Sequence, residues 1–154
     1  MTDFREIIER LADAQVEFVV IGGLAVIAHG HVRTTVDMDI CYARTPANLR
    51  RLVSALAPLH PRLRGAPPEL PFFWDEATLR NGTNFTLVTS AGDLDLLGEV
   101  TGIGNFADFS LRAIAMTLFG REVLVISRED LLRAKAAAGR AKDLLDLEAL
   151  RALK

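Results

Sequence analysis

The stretch that decides the fold runs from Gly22 to Asp39 and reads GGLAVIAHGHVRTTVDMD. Before it stands the short apolar run FVVI, residues 18–21, which contains β-branched residues and stops at a glycine pair. This pattern predicts a buried strand that ends in a sharp turn. A short helix is then expected over residues 24–28, ending near His29. Glycines at the mouth of a helix let a phosphate approach the backbone, where free N–H groups receive it.

Two aspartates follow on one face of the next strand. Residues 36–42 alternate strictly, so Asp37 and Asp39 share a face and the apolar residues between them share the other. Two carboxylates about 4 Å apart repel by roughly 4 kcal/mol at an effective dielectric near 20. Mg²⁺ removes this repulsion and completes its shell with phosphate oxygens and water. Asp-x-Asp alone could be an ordinary strand edge, but the strand, glycine pair and helix before it favour a metal site.

A third carboxylate is predicted on a later hairpin. Residues 84–97 alternate on both sides of the turn Ser-Ala-Gly at 90–92, and Asp93 and Asp95 fall on the same face. If this strand lies beside that of Asp39, Asp95 can share a metal and accept the proton of an attacking hydroxyl. Asp93 is nearer the turn, and we expect it to be mainly solvated.

These residues resemble the signature of the nucleotidyltransferase superfamily of DNA polymerase β-like folds. That signature is a Gly-Gly or Gly-Ser turn, a helix, Asp-x-Asp and a lone aspartate on a later strand, matched here by Gly22, Gly23, Asp37, Asp39 and Asp95. The chain is most similar to the minimal bacterial AbiEii-like nucleotidyltransferases, a group that includes toxins of toxin-antitoxin pairs. The lincosamide and aminoglycoside nucleotidyltransferases are similar around the same motif. The resemblance spans roughly residues 16–150.

Basic residues extend the resemblance. Arg33 opens the run RTTVDMD, which looks like the Arg-x-Ser/Thr-x-Asp-x-Asp run of such proteins. Lys135 and the segment GRAKD at 139–143 resemble their C-terminal Lys and Arg-x-Lys-Asp element. Arg33, Lys135, Arg140 and above all Lys142 are therefore the candidate cations for the triphosphate, although each alone could be a solvated surface charge.

The resemblance implies a metal-dependent transfer. An acceptor group attacks the α-phosphate of a nucleoside triphosphate, and pyrophosphate leaves. Two Mg²⁺ ions about 3.5 to 4 Å apart, or Mn²⁺ in their place, would be held by Asp37, Asp39 and Asp95. Gly22 and Gly23 would cradle the β- and γ-phosphates. Many members carry serine where this chain has Gly23, so a hydroxyl contact is missing here and the backbone must suffice.

Length and composition predict one domain. The chain has 154 residues, half of them apolar, which is enough for one good core. We expect an α+β fold, a mixed β-sheet with helices packed on it, in a single nucleotidyltransferase domain over 1–154. Its polymerase β palm-like core would span about 16–126 and its C-terminal helices about 127–153. Other expected elements are helices at 3–14 and 46–59, a hairpin within 111–126, a helix opened by a capping box at 127–130 and stopped by Gly139, and a last helix from about 142.

The sequence shows neither a membrane span nor a signal peptide. No apolar run approaches the length of a membrane span, and the start MTDFRE has neither the basic residues nor the apolar stretch of a signal peptide. We therefore expect a cytoplasmic protein. The single cysteine, Cys41, fits that location and is expected to be a buried filler.

The acceptor is left open by the sequence. Net charge is −2, yet residues 41–68 contain no acidic residue. A basic surface there could hold RNA phosphates, although a helix with a basic solvent face explains it more simply; its arginines are Arg44, Arg50, Arg51, Arg62 and Arg64. The aromatic run 72–74 favours a buried strand or an interface over a stacking site for a base. His29 and His31 have too few neighbours for a zinc site.

Two classes of function remain. The first is an enzyme acting on RNA, a protein hydroxyl or a small molecule, with a toxin-type enzyme ahead of an antibiotic-modifying one. Aromatic or acidic residues of segment 65–84 lining a pocket would favour the antibiotic-modifying enzyme. The second class is a non-catalytic, antitoxin-like partner, which the loss of one acid would have favoured. A cognate toxin or antitoxin, or a homodimer that completes the cleft, are the implied protein partners.

Overall fold

The structure is a computed structural model that describes residues 2–153, so Met1 and Lys154, the ends of the predicted domain, lie outside the described residues. It contains nine strands: β1 (Phe18–Ile21), β2 (Met38–Tyr42), β3 (Arg62–Leu63), β4 (Asn84–Thr89), β5 (Gly92–Leu97), β6 (Glu99–Val100), β7 (Gly104–Asn105), β8 (Ile114–Leu118) and β9 (Arg121–Val125). Seven of them form one mixed sheet in the order β3-β4-β5-β2-β1-β9-β8, and β6 and β7 form a separate small hairpin. The predicted mixed sheet is confirmed.

Within residues 2–153, seven α-helices accompany the sheet: α1 (Phe4–Asp13), α2 (Gly22–Ala28), α3 (Pro46–Leu56), α4 (Glu76–Asn81), α5 (Phe106–Phe109), α6 (Arg128–Ala138) and α7 (Ala141–Ala152). The predicted helices are confirmed with small differences at their ends; the last turn expected in α3 is instead a 3₁₀ turn over Ala57–Leu59. Two short helices, α4 and α5, had not been predicted. Within residues 2–153, none of the helices combines the length and hydropathy that crossing a lipid bilayer requires.

The register of the sheet places the two strands that carry aspartates side by side. Strand β2 pairs in parallel with β5, so that Asp39 lies directly opposite Asp95. The alternate residues Met38, Ile40 and Leu94 are fully buried on the other face. Because side chains alternate along a strand, burying these apolar residues turns the carboxylates to the opposite side of the sheet.

Two local predictions are corrected by the structure. The capping box predicted at the start of α6 is half formed: Ser127 accepts a hydrogen bond from the backbone N–H of Asp130 at 3.1 Å, but the Asp130 carboxylate binds Arg112 instead. The aromatic run 72–74 is not a strand. Trp74 donates to the carbonyl of Val53 at 3.0 Å, while Phe73 is 69% exposed.

A buried asparagine ties α3 to the strands. The side chain of Asn48 is fully buried, and its Oδ1 accepts from the N–H of Glu17 at 2.7 Å. Its Nδ2 donates to the carbonyls of Glu17 and Ala43 at 3.1 and 2.7 Å. These three bonds satisfy backbone groups just before β1 and just after β2, so they fix the ends of the two strands that lead into and out of the glycine turn.

We expect Asn48→Ala to lower the free energy of unfolding by about 2 to 3 kcal/mol, because it leaves buried backbone groups without partners. Urea denaturation measures this. The control is Arg51→Ala, an exposed position of the same helix, which should change stability by less than about 0.5 kcal/mol. Equal effects of the two substitutions would contradict the role given to Asn48.

Candidate active site

Three aspartates converge on one cavity. Asp39 and Asp95 are neighbours in the register of β2 and β5, and Asp37 immediately precedes β2. All three line a cavity of about 520 Å³ whose opposite wall includes residues of α6, among them Lys135. The structure thus brings together the residues that the sequence pattern singled out, and the condition set for Asp95, a strand beside that of Asp39, is met.

The carboxylates of this cavity repel one another. Burial, together with the negative charges of Asp95 and Asp37, raises the pKa of Asp39 to about 7, although the nearby charge of Lys135 acts to lower it. Asp39 and Asp95 also share a hydrogen bond. Near neutral pH Asp39 is therefore partly protonated, and a bound cation would displace that proton.

The donor set suits a hard divalent cation. The three carboxylates supply the oxygen ligands that Mg²⁺ prefers, and their negative charge is only partly compensated by nearby cations. Within residues 2–153, however, no three acidic, histidine or cysteine side chains already surround a common metal position. Metal binding therefore requires the shared proton to leave and the carboxylates to turn. Elsewhere, His29 Nε2 lies 2.7 Å from the carbonyl oxygen of Ile126.

Gly22 is required by the close approach of the turn to Asp39. Its φ is +68°, a left-handed conformation that favours glycine. A Cβ at this position would collide with the Asp39 carboxylate. The residue therefore permits the chain to turn from β1 into α2 within contact distance of the aspartate cluster.

Gly23 has no room for a larger side chain. A Cβ there would lie 2.5 Å from Thr35 Oγ1 and 2.9 Å from Arg33 Nη2. The departure from serine at position 23 therefore has a physical reason in this chain. The hydroxyl of Thr35 already occupies the space into which a serine side chain would extend.

All six predicted nucleotide-binding residues line one smaller chamber. This chamber, of about 230 Å³, adjoins the aspartate cluster and is lined by Gly22, Gly23, Arg33, Lys135, Arg140 and Lys142. Four cations thus face the glycine turn, and Arg33 lies about a hundred residues before the other three in the sequence. Asp37 and Asp39 also line this chamber, which therefore combines four cations with two carboxylates.

Two acids of α7 hold three of these cations in place. Lys135 is buried and lies 3.2 Å from Asp143 and 3.0 Å from Asp146. Arg140 donates to Asp143 at 2.6 Å, and its pKa is raised chiefly by that hydrogen bond. Arg33 donates from Nη2 to Asp146 at 3.0 Å.

Lys142 differs from these three cations. It is exposed and forms no ion pair with the described residues. Asp146 had not been recognised from the sequence. The available signal was the i,i+3 spacing of Asp143 and Asp146, which places both on one face of a helix.

Arg64, whose role the sequence left open between a basic RNA-binding surface and a solvated helix face, instead contacts two aspartates of β5. Its Nη2 donates to Asp95 Oδ1 at 2.9 Å, and its Nε lies 3.4 Å from Asp93 Oδ2 without hydrogen-bond geometry. Asp93 is accordingly paired with an arginine and not merely solvated. Arg44 also points inward, where it donates to the Tyr42 hydroxyl at 2.7 Å. The five arginines of segment 41–68 therefore do not form one continuous basic surface.

The protonated state of Asp39 predicts a pH effect on the metal-free protein. The folded protein keeps this proton up to about pH 7, whereas the unfolded chain loses it near pH 4. The stability contributed by the protonated form is therefore lost as the pH rises through 7. In EDTA, Asp39→Asn should be more stable than the wild type by about 1 to 2 kcal/mol at pH 8 and show little of this gain at pH 5. Urea unfolding at both pH values tests this; the same difference at both would contradict it.

We expect Gly22→Ala to abolish Mn²⁺ binding, because the added methyl group enters the space of the Asp39 carboxylate. The matched control is Gly120→Ala: Gly120 has a φ of +79° and open space where a Cβ would be. Both substitutions should lose about 1 kcal/mol of stability through backbone strain. Only Gly22→Ala should lose Mn²⁺ binding, measured by titration. Normal binding by Gly22→Ala would refute the steric role.

Known structures share this fold at low sequence identity. The lincosamide antibiotic adenylyltransferase LnuA, solved with lincomycin bound, matches with a TM-score of 0.64 and 17% identity over 99% of both chains. A putative nucleotidyltransferase of Thermotoga maritima, TM1012, matches with a TM-score of 0.59 and 17% identity over 94% of this chain and 87% of its own. The antibiotic-resistance factor ANT(2'')-Ia gives 0.58 and 16% over 94% of this chain and 78% of its own. These likenesses concern the fold.

The sequence comparison identifies the family. No curated protein sequence matches the chain. The AbiEii-like subgroup stays a prediction. Residues 2–153 match the family described as "Nucleotidyltransferase of unknown function (DUF6036)". The chain therefore belongs to this family and is an enzyme of the nucleotidyltransferase class.

Proposed function

We propose that this protein transfers a nucleoside monophosphate from a nucleoside triphosphate to an acceptor hydroxyl, with release of pyrophosphate. One observation carries the proposal. Asp39 and Asp95 are paired across neighbouring strands, and the cavity they share also contains Gly22 and Lys135. Carboxylates that can bind a cation thus lie beside a chamber that can bind phosphates.

The chamber lined by Gly22 and the four cations would bind the triphosphate. Lys135 is a fixed positive charge, because two buried carboxylates hold it in the wall of the cavity. Lys142 is exposed and is therefore the cation best able to move onto the β- and γ-phosphates. Positive charges placed before the reaction begins stabilise the charge that develops on the leaving pyrophosphate.

The aspartates would hold the metal and receive the proton. Asp37, Asp39 and Asp95 fit Mg²⁺ by their donor atoms and by the raised pKa of Asp39. When bound, two Mg²⁺ ions, or Mn²⁺, would supply positive charge that stabilises the attacking and leaving oxygens. Asp95, unlike Asp37 and Asp39, does not line the smaller cation chamber, and we assign to it the proton of the acceptor hydroxyl.

A small hydroxylated molecule is the acceptor best supported. The arginines of segment 41–68 do not form the continuous surface that RNA phosphates would need. Beside β3, a groove of about 300 Å³ is lined in part by Glu69, Phe72 and Phe73. LnuA, whose fold this chain shares, is a lincosamide adenylyltransferase. An antibiotic-like acceptor therefore ranks ahead of RNA or a protein, which a toxin-type enzyme would modify.

Label transfer tests the proposal. The purified protein is incubated with each α-³²P-labelled nucleoside triphosphate and Mg²⁺, with lincosamides, aminoglycosides, total RNA or the protein itself as acceptor. We expect label on a small hydroxylated molecule. Asp39→Ala should lower the rate by roughly a hundredfold or more, which corresponds to a few kcal/mol of lost charge stabilisation. The matched control is Asp13→Ala, which removes a carboxylate outside both cavities.

The other outcomes discriminate among acceptors. Label on RNA or on protein would contradict the small-molecule acceptor and would instead indicate a toxin-type enzyme. If no label moves, calorimetry of nucleotide binding decides. Binding without transfer would mean that the acceptor or a cognate partner is missing from the panel, and an absence of nucleotide binding would refute the proposed activity.

A further inference from the structure

Arg64 is held firmly beside the aspartate cluster. Its backbone N–H donates to the carbonyl of Thr86 at 2.9 Å, and its Nη2 donates to the carbonyl of Leu87 at 2.8 Å. Both acceptors belong to β4, the strand that pairs with β5 and places Thr86 opposite Asp95. The side chain is therefore anchored by the sheet itself and is not a freely moving surface group.

The guanidinium group of Arg64 spans the two acids of β5. It lies 2.9 Å from Asp95 and 3.4 Å from Asp93, and its side chain is about one quarter exposed. Because Arg64 donates a hydrogen bond to Oδ1 of Asp95, that carboxylate is held in one orientation. Its other oxygen, Oδ2, then faces the cavity. Arg64 lines the main cavity together with Lys135, Arg140 and Lys142, but unlike them it does not line the smaller cation chamber.

We propose that Arg64 is a positioning residue, which fixes the Asp95 carboxylate for proton transfer and thereby weakens the affinity of the cluster for a divalent cation. This inference rests on the proposed function. Arginine stays protonated and has no acceptor atom, so it can neither take a proton from a hydroxyl nor bind a metal. It acts through Asp95.

Two consequences of opposite sign follow. Removing the guanidinium frees the Asp95 carboxylate to rotate, and a misplaced proton acceptor lowers the rate of the chemical step. Removing it also takes a positive charge away from a carboxylate that would bind the metal, and that strengthens the attraction for a divalent cation. A residue with a merely structural role would weaken both metal binding and catalysis.

The test compares Arg64→Gln with Arg64→Lys and with Arg121→Gln. Arg121 is the matched control, because it makes a similar pair with a carboxylate, Asp13, at 2.8 Å outside the cavity. Electron paramagnetic resonance of free Mn²⁺ measures metal affinity without nucleotide. Label transfer gives kcat and KM, and urea unfolding checks that each variant is folded.

We expect Arg64→Gln to bind Mn²⁺ roughly tenfold more tightly than the wild type. Its kcat should fall roughly tenfold, with KM for the nucleotide little changed. Arg64→Lys keeps the charge and should leave Mn²⁺ affinity near that of the wild type while recovering part of kcat. Arg121→Gln should change neither quantity.

Mn²⁺ affinity of Arg64→Gln that is unchanged or weaker than that of the wild type would overturn the inference, whatever the activity. If the wild type transfers no label, the proposed function fails at the level of activity, while the Mn²⁺ measurement still decides how Arg64 acts on the cluster. A folded wild type that binds no Mn²⁺ would overturn both.

Discussion

The parallel pairing of β2 with β5 is the constraint on which the rest of the site depends. It sets Asp39 directly beside Asp95. The apolar residues that alternate with these aspartates along the two strands are buried on one face of the sheet, so both carboxylates lie on the other face. Such a pair is unfavourable without compensation. Three features reduce this repulsion: the raised pKa of Asp39, the nearby positive charge of Lys135, and the hydrogen bond from Arg64 to Oδ1 of Asp95. The strand register positions Asp39 and Asp95, and Arg64 is anchored on the neighbouring strand β4.

The C-terminal helix α7 organises the positive side of the site. Its buried acids Asp143 and Asp146 hold Lys135, and Asp146 also holds Arg33 from the loop before β2. Buried ion pairs are often close to neutral for stability, because desolvation offsets their attraction. Here these ion pairs fix the positions of Arg33 and Lys135, which are more than a hundred residues apart in sequence. The glycine turn alone could not form the chamber lined by these cations.

The sequence predicted the parts of the site that depend on local patterns. Strand alternation placed Asp39 and Asp95 on the right faces, and the glycine pair marked the turn. What it could not predict depends on contacts between distant strands. Arg64 directly follows the two-residue edge strand β3 and reaches Asp95 only across β4. Arg44 turns inward to the carbonyl of Leu79, 35 residues further along the chain. The aromatic run 72–74 failed as a strand because apolar content alone does not supply a pairing partner.

The two sides of the aspartate cluster differ in charge, and this asymmetry bears on the acceptor. On one side, three cations share two buried carboxylates and Lys142 forms no ion pair with the described residues, so positive charge remains for a polyanion. On the other side, Arg64 stands between Asp93 and Asp95 and its charge is already balanced. Under the proposed function, the triphosphate therefore has one favourable orientation, with its leaving group toward α7. The acceptor must approach from the side of β4, where no excess positive charge attracts it. A neutral or cationic hydroxylated molecule meets less electrostatic resistance there than a second polyanion would.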